Sequence, residues 1–288
     1  MSFSTDVKEE LSKLNNLANK ECVKSEMYGY LNTNNATIEN GCIRFSTESQ
    51  YNINRFAKLL NNLEINKYDI DIMGKTFVIK IPKNESTTLK EIYEMYNLEN
   101  IESIEKAYIR GTFLGSGSIN NPQNKYHIEI LLNKLEIAEK IIEILKKYRI
   151  SFKILHKNNK INKYSIYSKD GEEISKFLAF IGANSAVLKF EEIRVFRDMR
   201  NNVNRIVNCE TANLAKTVDA AVKQINAIKK LKETGKFNKL QDNLKELANL
   251  RIQNPESSLI ELGKMLKEPL GKSGVNYRMN KILKLSEE

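Results

Sequence analysis

The sequence predicts an α+β protein in which an α-β-β-α-β-β-α unit is used twice, followed by an all-α C-terminal domain. Three observations predict it. Two successive stretches run through the same order of helical and alternating periodicity. Ile38 and Ile119 occupy matching places in the two stretches, 81 residues apart. Beyond Gly182 the alternation disappears and only helical periodicity remains. At 288 residues, with 41% hydrophobic and 28% charged side chains, the chain is long enough for two cores and of ordinary globular composition.

The opening segment from Ser4 to Leu14 reads as a short helix, capped by Ser4 or Thr5, with Asp6 complementing the helix dipole. The first unit, about 21–96, then begins with a helix from Glu21 to Thr33 and an extended segment from Thr37 through Phe45. Phe56, Leu59, Leu60 and Leu63 mark a helix over Tyr51–Leu63. Lys67–Ile72 and Thr76–Ile81 alternate polar and apolar residues about Met73-Gly74-Lys75, which predicts a hairpin. Asp69 and Asp71 fall on its solvated face. Pro82 stops the second strand, and a helix follows over Thr88–Tyr96.

The second unit, about 104–182, repeats the order. A helix over Ile104–Leu114 leads through Gly115-Ser-Gly-Ser-Ile119 and a turn at Asn121-Pro122 to the strand Tyr126–Leu132. Ile137, Ile141, Ile144, Leu145 and Tyr148 form one stripe of a helix over Leu135–Tyr148. Ser151–Leu155 and Lys163–Tyr167 flank a turn at Asn158-Asn159-Lys160. Asp170 caps a last helix to Ile181, with Glu173 placed as its capping-box partner.

The C-terminal part reads as helix throughout. A long helix runs from Glu210 to about Leu231 with Leu214, Val218, Ala221, Val222, Ile225 and Ile228 on its apolar face. The domain change is placed near Arg205, giving domains 1–205 and 206–288. Three helices then follow: Leu240 to about Gln253, a second opening at Ser257 or Ser258 and reading Leu259–Leu266, and a third from Lys272 to Leu285. Pro255 separates the first two, and the turn Lys267–Gly271 separates the last two. This order is that of a helix-turn-helix, with Gly263 where helices cross closely.

Charge and residue types narrow the functions. The formal charge is +10, and from Asn184 onward 20 Lys/Arg stand against 13 Asp/Glu, so positive charge is concentrated late in the chain. In the final helix Val275, Met279, Ile282 and Leu283 are predicted to be buried. Between Lys272 and Lys284 there are four cations and no acid, a pattern suited to phosphates and base edges. The predicted DNA-contacting residues are Ser258, Lys272, Ser273, Asn276, Tyr277, Arg278, Lys281 and Lys284. Arg194, Arg197, Arg200 and Arg205 form a connector that either clamps phosphate or pairs with acids across the domain boundary.

Other classes are excluded by composition and pattern. Cys22, Cys42 and Cys209 are scattered and His127 and His156 are the only histidines, so no zinc site is expected and the thiols are read as free and buried or half-buried. No Gly-rich nucleotide loop and no credible Ser/His/Asp arrangement occur. No apolar run spans a bilayer and no signal peptide opens the chain, so a cytosolic protein with no membrane or small-molecule partner and no cofactor is expected.

Ala107-Tyr-Ile-Arg-Gly-Thr-Phe-Leu-Gly-Ser-Gly-Ser-Ile119 resembles the signature helix of the LAGLIDADG homing endonucleases. Its pairing with Met199-Arg-Asn-Asn-Val-Asn-Arg-Ile-Val-Asn208, Ala212-Asn-Leu214 and Lys272-Ser-Gly-Val-Asn276 resembles the WhiA family over nearly the whole chain. The resemblance implies a duplicated, degenerate LAGLIDADG homing-endonuclease-like domain followed by a helix-turn-helix domain. It also implies a nucleoid-associated double-stranded-DNA-binding regulator of cell division, chromosome segregation or sporulation transcription, with a sigma factor or division protein as a further partner. In the nucleases each signature helix ends in an acid that holds a divalent metal. The matching positions here are Ser116 and, by spacing, Asn35. Neither carries a charge, so no catalytic or metal residue is expected, while Gly111 and Gly115 keep the close helix packing. The alternatives are a protein–protein adaptor of the transcription or division machinery and, less favoured, a metal-dependent endonuclease with relocated acids.

Overall fold

The computed structural model describes residues 2–158 and 163–287. It divides into two compact units, Met1–Asp198 and Met199–Glu288.

In the first unit α1 (Phe3–Ser12) is capped by Ser2, whose hydroxyl accepts from the Thr5 amide, ahead of the Ser4 or Thr5 cap that the sequence suggests. Next come α2 (Lys20–Leu31), β1 (Ala36–Glu39), β2 (Cys42–Thr47), α3 (Gln50–Asn62), β3 (Asp69–Met73), β4 (Thr76–Ile81) and α4 (Thr87–Met95). The second copy is α5 (Glu102–Ser116), β5 (Gly117–Ile119), β6 (Ile128–Leu132), α6 (Leu135–Lys147), β7 (Lys153–Asn158), β8 (Lys163–Ser168) and α7 (Gly171–Ile181). The two four-stranded antiparallel sheets have matching orders, β1-β2-β4-β3 and β5-β6-β8-β7. The predicted α+β duplication is therefore present.

Local differences from the expected pattern have identifiable causes. The single extended segment predicted over Thr37–Phe45 folds as a hairpin, because Asn40 (φ 50°) and Gly41 (φ 84°) supply the successive left-handed residues of a type I′ turn. Asp170 does cap α7, accepting from the amides of Glu172 and Glu173 at 2.8 and 3.2 Å. Glu173, however, accepts from the Ser151 amide and does not close the expected capping box. The turn predicted at Asn158-Asn159-Lys160 lies largely outside the described residues.

The core of this unit forms between the paired helices and the sheets. Tyr30, Phe45 and Phe56 stack with ring centroids 4.6 to 5.2 Å apart beneath the first sheet. The α2 and α5 backbones touch. A Cβ on Gly29 would lie 2.3 Å from the Tyr108 carbonyl oxygen, and one on Gly111 would lie 2.0 Å from that of Glu26. Beside this contact the buried Glu26 carboxylate accepts from Arg55 Nε at 2.8 Å and from Arg110 Nε at 3.0 Å, tying α2, α3 and α5 together.

One helix, α8 (Asn184–Glu233), crosses the division between the units. The sequence places the boundary at 205/206 and starts a helix at Glu210; the backbone is helical throughout, and the division falls at Asp198/Met199. Leu214, Val218 and Val222 of its expected apolar face are exposed, whereas Ala221 and Ile228 of that face are buried and Ile225 is half-buried. The second unit continues with a 3₁₀ turn (Lys236–Lys239), α9 (Asp242–Gln253), α10 (Leu259–Met265) and α11 (Lys272–Glu287). Ile228, Leu231, Leu244, Leu247, Leu262, Leu266, Val275, Met279 and Ile282 form its core. Leu283, predicted buried, is half-buried. Among the described residues no helix is long and apolar enough to cross a membrane. The three thiols are free as expected, but Cys42 and Cys209 are exposed, each lying on an uncovered face of its element.

Candidate nucleic-acid interface

The placement of α11 starts with α10. Ser258 Oγ accepts from the Glu261 amide at 3.3 Å, and the Glu261 carboxylate accepts from the Ser258 amide at 2.7 Å, a reciprocal capping box. These hydrogen bonds hold the Glu261 carboxyl below the usual range. Before it, the buried Arg251 donates to the Ser257 carbonyl at 2.6 Å and so pins the chain where Pro255 ends α9. After α10, the Leu270 amide donates to the Gly263 carbonyl at 3.0 Å, and Val275 then opens α11 by donating to Gly271. Gly263 is required because any Cβ there would lie 2.1 Å from the Leu270 carbonyl oxygen.

With Val275, Met279 and Ile282 buried, the outward side of α11 follows from about 100° of turn per residue. Lys272, Ser273, Asn276, Tyr277, Lys281 and Lys284 are exposed on one broad face. None of their side chains has a hydrogen bond or ion pair with another described residue. Asn280, which sequence reasoning omitted, is exposed at the centre of this face. Its spacing of four from Asn276 was the available signal. Arg278 lies half-buried on the flank beyond Lys281, and Ser258 is half-buried with its hydroxyl engaged in the cap. Lys236 and Lys239 line one groove with Lys281 and enlarge the basic surface. That pair was missed because the sequence reads them as an ordinary connection after Gly235.

The connector arginines divide. Arg194 pairs with Glu191 on the same helix at 3.1 Å. Arg197 stacks on the Tyr126 ring, 4.3 Å from its centroid, and donates to the Pro122 carbonyl at 2.7 Å. Arg200 and Arg205 are exposed and have no partner among the described residues.

In the first unit Asn35 and Ser116 line one cavity of about 520 Å³ at the ends of α2 and α5. Asn35 Nδ2 donates to the Gly115 carbonyl at 2.7 Å, and Ser116 Oγ donates to that of Leu131 at 2.5 Å. Both side chains thus satisfy backbone oxygens and offer no negative charge. The reciprocal contacts Gly29–Tyr108 and Gly111–Glu26 share an offset of 82, whereas the first strands of the two copies, β1 and β5, match at an offset of 81, Ala36 with Gly117. The first copy therefore has one more residue between helix and strand, and helix packing aligns Asn34, not Asn35, with Ser116. Among the described residues no three His, Cys, Asp or Glu side chains converge as a metal site would require.

Residues 203–286 match the family model described as the WhiA C-terminal HTH domain, and residues 105–200 match the WhiA LAGLIDADG-like domain. The chain is 36% identical to the probable cell division protein WhiA of Clostridium novyi (strain NT), across 100% of this chain and 98% of that relative. It is 48% identical over 184 residues to the probable cell division protein WhiA of Clostridium tetani, covering 64% of this chain and 57% of the relative. That matched stretch spans little more than half of the relative's length. Among solved structures, full-length DUF199/WhiA from Thermatoga maritima superposes with a TM-score of 0.63 at 28% identity, covering 100% and 98% of the two chains. The N-terminal LAGLIDADG domain of DUF199/WhiA superposes with a TM-score of 0.53 at 26% identity, covering 63% and 92%.

Proposed function

This chain belongs to the WhiA family, and we propose that it is a non-catalytic regulator that binds duplex DNA through α11. One observation carries the reading: the exposed side of α11 holds Lys272, Lys281 and Lys284 with Asn276 and Asn280, and no acid among the described residues pairs with these cations. Lysines that neutralise phosphates supply affinity through counterion release, while amide side chains read base edges. A glycine-locked turn after α10 fixes the pitch at which α11 enters the major groove. Arg200 and Arg205 add phosphate contacts; Arg194 and Arg197 serve the fold. The roles that follow are in cell division, chromosome segregation or sporulation transcription, on the nucleoid, with a sigma factor or division protein as partner.

The test is duplex binding by the full chain, measured by fluorescence anisotropy over a range of salt. Tight binding that weakens steeply with salt is expected, and absence of duplex binding at low salt contradicts the proposal. Cleavage is expected to be absent, since Asn34, Asn35 and Ser116 cannot do the work of paired carboxylates. Supercoiled plasmid incubated with the protein and Mg²⁺ or Mn²⁺ remains intact on this reading.

One observation favours the adaptor reading. Phe196, Met199, Val203, Val207 and Leu214 of α8 are all more than half exposed at helical spacing. A partner retained on the protein after nuclease treatment, and lost when Val203 and Leu214 become Asn, would support it.

A further inference from the structure

We propose that the cavity at the ends of α2 and α5 is a binding site for a small phosphorylated ligand, with Lys8 as its cationic anchor. Eight of the twelve described residues lining it carry hydroxyls, among them Ser2, Ser46 and Thr76, while Ser116 already donates to the Leu131 carbonyl. At about 520 Å³ it falls within the range of small-molecule sites and holds a mononucleotide with room to spare. No aliphatic or aromatic side chain lines it, so an apolar occupant gains nothing there, whereas a phosphoryl group finds donors on several sides.

Lys8 supplies the charge. Lys8 lines this cavity, is half-buried, and its side chain has no hydrogen bond or ion pair with any described residue. A partly desolvated cation without a partner is unfavourable, and a dianionic phosphoryl group beside it relieves that cost. Glu48 is the other charged residue among those lining the cavity; it is exposed at the rim and attracts Lys8 through space without contact. Burial lowers the Lys8 pKa to about 8, which keeps the side chain cationic at neutral pH and makes it easily discharged in mild alkali.

The phosphate comes from a free small molecule and not from a duplex. Ser46 and Thr76 continue onto the outward face of β1–β4, where a duplex seated over the cavity would lie. The charged residues of that face are Glu39, Asp69 and Asp71 against Arg44 and Lys80, a net of −1, and Lys80 is already paired with Asp71 at 2.7 Å. This face offers a phosphate backbone no net positive charge, whereas a small ligand needs only the cavity itself.

The experiment is isothermal titration of the full chain with inorganic phosphate and, separately, with AMP, using the parent protein, Lys8→Met and Lys8→Arg. AMP or phosphate binding to the parent is expected, weakened at least ten-fold by Lys8→Met and largely retained by Lys8→Arg. Equal affinity of the parent and Lys8→Met overturns the proposal, as does absence of binding of both probes at millimolar concentration. Duplex DNA is added in a competition arm: persistence of AMP binding supports the small-ligand site, and its displacement by DNA overturns it. The phosphate and AMP titrations do not depend on whether α11 binds DNA, and the competition arm is read at a salt concentration at which anisotropy shows the duplex bound. Loss of binding by Lys8→Arg as well, with an unaltered circular dichroism spectrum, would also overturn the assignment of Lys8 as a charge anchor.

Discussion

Gly263 and Leu270 are locked to each other across the turn between α10 and α11: the Leu270 amide donates to the Gly263 carbonyl at 3.0 Å, and a Cβ on Gly263 would stand 2.1 Å from the Leu270 oxygen. The two residues set where α11 starts. Because the obstructing atom is backbone, Gly263→Ala cannot be absorbed by a side-chain rotation. It is expected to destabilise the second unit by about 1–3 kcal/mol, the usual cost of overpacking. Urea unfolding followed by circular dichroism measures it, and an unchanged midpoint would show that the turn is not built as described.

The ion triad of the first unit makes a second prediction. Glu26 pairs with both Arg55 and Arg110 in a buried position at the α2–α5 contact. Glu26→Ala leaves two guanidinium groups desolvated and unpaired, with an expected loss of about 3–5 kcal/mol. Arg110→Met leaves the Arg55–Glu26 pair in place and should cost less. Thermal unfolding of the two variants ranks them; the reverse order would remove the triad from the account.

Lys8 gives a pH dependence. Its pKa is lowered to about 8 in the fold, against about 10.4 for an unperturbed lysine. Between these values the unfolded chain binds more protons than the folded one, so stability rises with pH in that window. Below about pH 8 both states are protonated and the burial penalty persists. Relative to Lys8→Met, the parent should therefore gain stability between pH 8 and 10, by on the order of 1–2 kcal/mol after allowance for screening. Denaturant titrations at pH 7, 8, 9 and 10 test this, and a difference that is flat or falls with pH contradicts it.

Asn276 and Asn280 are expected to discriminate sequence, whereas the lysines position the helix. Asn276→Ala and Asn280→Ala should each reduce the preference for a selected target over scrambled duplex by about 1–3 kcal/mol without changing the salt slope. Arg278→Ala, on the flank, should change little. A salt slope altered by the asparagine variants would assign them to phosphate.

Much of this was legible in the sequence for physical reasons. The strands announce themselves by alternation, and the turn at Gly74 by the positive φ that tight hairpins need; Asn40-Gly41 carry the same signal, but the unbroken extended pattern from Thr37 to Phe45 hid the turn between β1 and β2. The three C-terminal helices were legible because Pro255, Ser258 and Gly271 punctuate strong apolar periodicity. Gly29 was missed as the partner of Gly111, since its meaning depends on a backbone that only packing brings near. The exposure of Leu214 and Val218 was equally hidden: periodicity marks an apolar face but does not say that anything covers it. Composition counts Arg278 among the cations of the final helix without giving its angle, which places it half-buried on the flank. The extra residue between α2 and β1 shifts Asn34 against Asn35, a difference that spacing between strands alone does not reveal.

The central claim is tested most directly by the salt dependence of duplex binding in the full chain and in the triple variant Lys272→Ala, Lys281→Ala, Lys284→Ala. Each phosphate contact contributes about 0.9 to the slope of log K against log salt. The triple variant should therefore bind more weakly at low salt, with a slope shallower by about 2 to 3. Equal slopes and equal affinities would contradict the account, because the exposed cations of α11 would then not face DNA.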